Sequence, residues 1–280
     1  MLSFYKFLKF FFRYVVPHRL RYSVARLFSR LVYAINAPRR KILIQNLTPL
    51  VGEAEAQKRA PVLFENFAMT AVDFFCARVN IARGMLEKNT AIVDKTYRKT
   101  KRVMVVTAHF GNWELGMSYL LEKGFSLAGV YAPYREDEVV QWILNHRNSE
   151  VEWIPAARGA AEACISALER GRILGMVADI PFGEKGHRVA MAGSSAHLPL
   201  GPWAIAARAR ATVIPGFVLR LAPGQYKIIF HEPIAPREGS FRKQMVESQE
   251  IFRGHLESYL RQYPEQWGVL QPFWDQKASC

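Results

Sequence analysis

The sequence predicts an α/β protein: a mixed, mostly parallel sheet flanked by helices, preceded by a helical N-terminal element. Two observations carry that expectation. From Lys101 onward, short apolar runs alternate with longer stretches of helical periodicity, as in strand–helix units that feed a parallel sheet. Before about residue 90 the apolar residues recur at helical spacing without a strand-like run. The chain therefore divides into a helical region over 1–90 and an α/β core over 91–280.

In the first region Pro17 ends an opening helix, and Pro61 to Arg78 reads as an amphipathic helix. In the core, the run Val103-Met104-Val105-Val106-Thr107-Ala108 is a buried strand that leads to a helix over 112–122. A strand over 126–131 leads to a helix over 136–148. A helix over 159–169 precedes a strand over 172–178, and a helix over 202–210 precedes a strand over 212–219. Pro223-Gly224 turns the chain into an antiparallel strand, Gln225 to Phe230. A helix from Phe241 to Arg261 closes the core.

The 280 residues are 50% hydrophobic, enough for one large domain with a substantial core. The net charge of +14 is uneven: the first acidic residue, Glu53, follows ten Lys and Arg. Lys6, Lys9 and Arg13 share one helical face, and Phe4, Phe7, Leu8, Phe11 and Val15 fall opposite them. That layout suits an interfacial helix on an anionic membrane better than a nucleic-acid surface. The competing fate of those phenylalanines is packing on the protein's own body. No charge-free run reaches the ~20 residues that span a bilayer, so the expectation is a monotopic or peripheral protein. Arg19, Arg26 and Arg30 share a second face; with Arg39, Arg40 and Lys41 they either meet lipid phosphates or stay solvated. Cys76, Cys164 and Cys280 form neither a disulfide framework nor a zinc pattern, which suits a reducing cytosol.

The chemistry concentrates in His109-Phe110-Gly111-Asn112-Trp113-Glu114, where a strand ends and a helix begins. Ligands of open α/β sheets bind at such strand ends. An imidazole there can accept a proton, and the Glu114 carboxylate can hold its tautomer and balance the imidazolium. Glu114 also suits the first turn of a helix on dipole grounds alone. No serine or cysteine nucleophile lies beside the pair, which points to direct activation of a substrate hydroxyl. There is no Gly-x-Ser-x-Gly elbow, Walker loop or His-Glu-x-x-His motif, and nothing requires a metal or bound cofactor.

This segment resembles the H-x4-D/E motif of the bacterial lipid A late (secondary) acyltransferases, within the lysophospholipid acyltransferase superfamily. Three further stretches are similar to that family: Gly171 to Asp179, Ala204 to Pro215, and Tyr263-Pro264-Glu265-Gln266-Trp267. The resemblance covers most of the chain from about Lys101 to Trp274. It implies an α/β acyltransferase core with a helical membrane element. It also implies an acyl thioester donor, on acyl carrier protein or coenzyme A with the carrier protein favoured, and a membrane-lipid acceptor. The place implied is the cytoplasmic face of the bacterial inner membrane.

The family uses arginines after its second core strand to hold phosphate or an oxyanion; Arg147 is the best match and Arg135 the next, with Arg158 a further candidate. Asp179 ends a strand on the edge expected for His109, where it either orients an active-site arginine or lysine or begins a turn. His187 and Arg188, in the loop beyond, are placed to touch an anionic headgroup. The family's Phe-Phe-Gly element is replaced here by Met191-Ala192-Gly193, which leaves the acceptor open. A lipid A precursor leads; a lysophospholipid, a mannosylated phosphoinositide or another specialised lipid are alternatives. A catalytically silent basic membrane-binding protein is the rival of another class, and the intact motif speaks against it.

Overall fold

Val103–Thr107 (β2) runs through the middle of the sheet because it is apolar on both faces. Val103 and Val105 pack on one side, Met104 and Val106 on the other. The computed structural model describes residues 2–76, 85–133, 137–147, 149–182, 186–236 and 238–275. Arg135 and Cys280 lie outside them.

Among the described residues, seven strands form one sheet: β1 (Leu86–Lys88), β2, β3 (Leu127–Tyr131), β4 (Glu152–Pro155), β5 (Ile173–Val177), β8 (Thr212–Ala222) and β9 (Gln225–Phe230). Their order is β1-β9-β8-β2-β5-β3-β4, and every pairing is parallel except that of β8 with β9. β6 (His187–Met191) and β7 (Ser194–Leu198) form a separate antiparallel hairpin. One face carries Val93 of α5 (Ala91–Thr100) and Leu115, Tyr119 and Leu120 of α6 (Glu114–Glu122). The other face is covered from α3 (Ala37–Val51), α4 (Glu53–Cys76), α8 (Ala160–Glu169), α9 (Gly201–Ala209) and α10 (Phe241–Gln262). These supply Leu43, Leu63, Leu168, Trp203 and Phe252 to a common core. Asn36 caps α3 by accepting from the Arg39 amide at 3.1 Å, and Ser240 caps α10.

The expected mixed, mostly parallel sheet flanked by helices is present. Strands with several apolar residues lie within a few residues of their expected places. The short or polar elements are the ones periodicity missed: β1, β4, α5 and the β6–β7 hairpin. β1 reads Leu-Glu-Lys and is exposed, too short to show alternation. It pairs with β9, so the sheet draws on residues before the expected boundary at 90. The inner faces of α3 and α4 share the sheet's core, so these helices belong to the same body.

The N-terminal helices divide their apolar residues. α1 (Leu2–Phe10) continues through a π-helical turn, Phe11–Val15, and stops at Pro17. Leu8, Phe11, Phe12 and Val16 pack against Ala25 and Val72, while Phe4, Phe7 and Val15 remain exposed. The expected lipid face is thus split, because Leu8 and Phe11 turn inward. On α2 (Arg21–Ile35), Arg26 and Arg30 converge on the buried Glu65 carboxylate at 2.8 and 2.5 Å. These two arginines hold α2 to α4 through an acid that burial would otherwise penalise. Both arginines also stay exposed, at 46% and 60% of the side chain, so each has a solvent-facing side besides the ion pair. Cys164 is buried and Cys76 partly so, both with free thiols.

The C-terminal tail is tied to α3 by Asn46 and Arg39: Arg39 Nη1 donates to the Leu270 carbonyl, and Trp274 Nε1 donates to the Asn46 carbonyl at 2.8 Å. Asn46, 1% exposed, donates to the carbonyls of Val269 and Gln271 and accepts from the amide of Phe273. Asn46→Ala leaves three backbone groups without these partners and should cost about 2–3 kcal/mol. Urea unfolding measures this, and limited proteolysis should open the tail first. A loss well under about 1 kcal/mol would mean that Arg39, Trp274 and the packing of the tail hold it without the Asn46 side chain.

Candidate active site

β2 and β5 are neighbours and parallel, with Thr107 opposite Val177. The chain leaves both strands at the same edge, so the residues two positions beyond each, His109 and Asp179, stand side by side. The His109 amide donates to Asp179 Oδ2 at 3.0 Å, and His109 Nδ1 lies 2.8 Å from Asp179 Oδ1. Trp267 Nε1 donates to Oδ2 at 3.2 Å. The Asp179 side chain is fully buried, whereas a third of the His109 side chain is open. Three N–H groups thus compensate the buried carboxylate.

Burial alone would push the Asp179 carboxyl up; the facing imidazole and these hydrogen bonds outweigh it and hold the carboxyl below its usual range. Burial alone would push the His109 imidazole down. The Asp179 charge and hydrogen bond, with a contribution from Glu114 and against Arg147, leave it raised.

The expected partners are exchanged. Glu114 was the acid expected on the imidazole and Asp179 the one expected on an arginine or lysine. In the fold Asp179 takes His109 Nδ1, and Glu114 Oε1 accepts from Arg147 Nη2 at 2.5 Å. The reason is topological: the β2–β5 pairing delivers Asp179 to the imidazole, while Glu114 starts α6 beyond the turn. Arg147 reaches Glu114 from beyond α7 (Asp137–Leu144), its guanidinium lying 4.5 Å from the centre of the Trp153 ring. Among the described residues its buried Nε has no hydrogen-bond partner.

The turn carrying His109 is pressed onto β8. Gly111 has φ +59°, and a Cβ there would lie 1.7 Å from the Val218 carbonyl oxygen, so no other residue fits. The Gly111 amide donates to the Gln266 carbonyl, the Asn112 amide to Val218, and the Gly268 amide to His109. Trp113 meets the imidazole edge-on at 5.1 Å. Gln266, Trp267 and Gly268 were not read as site residues. For Gln266 and Trp267 the only signal is the Pro-Glu-Gln-Trp stretch, which carries a resemblance but no role; Gly268 has none.

Beside this group a largely apolar cleft, part of it open to solvent, runs between the sheet and α6. Glu114, Arg147 and Trp113 line it together with Met117, Met176 and Phe230. Its floor carries two glycines: Gly129 and Gly175 are register partners on β3 and β5. A Cβ at Gly175 would come within 2.5 Å of Met117 Sδ, and one at Gly129 within 2.6 Å of the Trp153 ring.

The other candidates lie elsewhere. Arg158 is exposed in the loop between β4 and α8. Arg188, on β6, pairs with Asp275 at 3.0 Å, and His197 binds the same carboxylate. Neither arginine contacts His109, Asp179, Glu114 or Arg147 in any interaction found among the described residues. Nor is any group of three or more His, Cys, Asp or Glu there placed to hold a metal ion.

His109 should titrate above the usual histidine value of about 6.5. Asp179→Asn removes the charge that opposes burial, so the midpoint should fall below that of the parent. An NMR titration of the imidazole checks this; an unmoved midpoint would mean that Asp179 does not set the balance.

The chain matches the family described as bacterial lipid A biosynthesis acyltransferase over residues 4–276. No curated protein matches it significantly. One solved structure similar to it is the 1-acyl-sn-glycerophosphate (LPA) acyltransferase PlsC from Thermotoga maritima. The identity is 16%, 88% of this chain and 99% of that chain are covered, and the TM-score is 0.40. The family match spans nearly all of the chain, from α1 through the His109 turn to the tail that closes over it. The protein is an acyltransferase of lipid biosynthesis and belongs to the bacterial lipid A biosynthesis acyltransferase family.

Proposed function

We propose that the protein moves a fatty acyl chain from an acyl thioester to a hydroxyl of a membrane (glyco)lipid, a lipid A precursor, with His109 as general base. The observation that carries this reading is the His109–Asp179 pair beside a largely apolar cleft whose lining includes Glu114 and Arg147. With Nδ1–H donated to Asp179, Nε2 is left to take the acceptor hydroxyl proton. The hydroxyl oxygen attacks the thioester carbonyl carbon. The tetrahedral oxyanion collapses, the carbon–sulfur bond breaks, and the leaving thiolate takes the proton back from the imidazolium. Asp179 stays ionised and stabilises that imidazolium.

Arg147, aimed by Glu114 and Trp153, is the group we assign to the developing oxyanion or an acceptor phosphate. The acyl chain enters the apolar cleft, where an aliphatic chain replaces no polar contact. A net charge of +14 suits an acidic carrier protein as donor and equally attracts the anionic coenzyme A thioester, so the carrier protein is favoured by the family and not by charge.

The test is acyl transfer by purified enzyme from carrier-protein and coenzyme A thioesters to a panel of acceptor lipids. His109→Ala should lose about 10²–10⁴-fold in rate while circular dichroism stays unchanged. Turnover near that of the parent would overturn the mechanism. Preferential acylation of a lysophospholipid would overturn the acceptor.

We also propose that the enzyme seats peripherally on an anionic membrane through α1 and α2, on its cytoplasmic face. No helix among the described residues is long and apolar enough to cross a membrane. Phe4, Phe7, Phe10 and Tyr14 are exposed near α1, as are Leu27, Phe28, Leu31 and Ile35 on α2, the last 84% exposed. Such a grouping of large apolar side chains marks an interaction surface. Lys6 and Arg19 are exposed on the same segment. Replacing Leu27, Leu31 and Ile35 together by Asp should release most of the protein from anionic liposomes without lowering its Tm. Full sedimentation of the triple variant would place the membrane contact elsewhere.

A further inference from the structure

A second buried charge cluster lies below the His109 turn, and the mechanism above does not use it. Asp73 of α4 and Arg220 of β8 are ion-paired at 2.9 Å, their side chains 1% and 4% exposed. The Asp73 carboxylate also accepts from Tyr22 of α2 at 2.5 Å, from Asn112 Nδ2 at 3.0 Å, and from Tyr226 of β9. Arg220 donates further to Thr70 Oγ1 at 2.9 Å and to Tyr226. The Arg220 amide donates to Gln266 Oε1, and Gln266 Nε2 donates back to the Arg220 carbonyl. The Gln266 carbonyl in turn takes the Gly111 amide.

A buried ion pair is a weak source of stability against an apolar filling of the same volume. What this one supplies is alignment. It joins four pieces far apart in sequence: α2, α4, the β8–β9 hairpin and the turn at Asn112. None of its members is placed at the imidazole. The link to His109 runs through Asn112, three residues on, and through the Gly111 amide.

We infer that the Asp73–Arg220 cluster is a positioning device for His109, so that Tyr22 and Asn112 serve acyl transfer as positioning residues. Asp73 and Arg220 gather the α2–α4 layer and β8 around one carboxylate, and Asn112 locks the catalytic turn to it. A turn freed from that lock moves the imidazole relative to the acceptor oxygen. The inference rests on His109 acting as the general base proposed above.

The test uses small deletions. Asp73→Asn leaves Arg220 without its counter-charge and can simply unfold, so Tyr22→Phe and Asn112→Ala are the informative variants. Each should lower kcat per folded molecule by about 10- to 100-fold, the scale of a misplacement near 1 Å, with KM for the acyl thioester little changed; the Tm falls as well, because a buried carboxylate loses a donor. Because both act through Asp73, the double variant should be no slower than the slower single. Three results overturn the inference: an unchanged kcat, a lowered Tm with kcat intact per folded molecule, or losses that multiply in the double variant. His109→Ala in the same assay separates the two readings. If it stays active, the general-base proposal fails; if it is dead while Tyr22→Phe and Asn112→Ala run at full rate, only the positioning role fails.

Discussion

The parallel pairing of β2 with β5 is the constraint on which the site depends. With Thr107 opposite Val177, both strands deliver their next residues to one edge in step. His109 and Asp179 are thereby held at hydrogen-bond distance, although about a quarter of the chain separates them in sequence. The same register continues from β5 into β3, where Gly175 is the partner of Gly129 and their missing side chains let Met117 and the Trp153 ring close against the sheet. A slip of one residue would undo both at once, since it would exchange the faces of β5 and carry Asp179 away from the imidazole. The apolar residues of β2 and β5 pack on both faces of the sheet, which is what makes such a slip costly.

Buried acids do the fastening elsewhere. Glu65 gathers Arg26 and Arg30 and holds α2 on α4. Asp73 gathers Arg220, two tyrosines and Asn112. Asp179 gathers His109 and Trp267. Each carboxylate loses water on burial, and each recovers the loss only when donors from separate elements meet it at once. Such groups contribute little net stability but discriminate strongly among arrangements, because a misplaced element leaves a bare buried charge. The two phenols around Asp73 follow the same logic: burial, reinforced by the adjacent carboxylate, raises their pKa and keeps both protonated as donors.

The apolar surface follows a different rule. A strand buried on both faces has no large side chain left over, whereas α2 packs one side on α4 and leaves Leu27, Phe28, Leu31 and Ile35 outward. The π-helical turn at Phe11–Val15 makes the corresponding division at the end of α1. It sends Phe12 inward and leaves Tyr14 and Val15 in the open. Apolar side chains left exposed beside cationic ones are the composition of a surface that meets a lipid headgroup layer.

The fold class, the strands that are apolar on both faces and the position of His109 at a strand end were all legible along the chain. Each depends on neighbours along the chain: strand burial shows as a continuous apolar run, and a histidine after such a run stands at a strand end. β1, β4 and the β6–β7 hairpin were not legible because they are short or polar and owe their pairing to strands elsewhere. The exposed apolar residues of α1 and α2 were legible only in part, since helical spacing shows that a face is apolar but not which part another helix will cover. Leu8 and Phe11 turned inward for that reason. Which carboxylate meets the imidazole is set by strand pairing and not by spacing along the chain. Glu114 is near His109 in sequence and pairs with Arg147; Asp179 is distant and takes Nδ1. Strand order is set by how the whole sheet packs its two faces, and no local spacing records it.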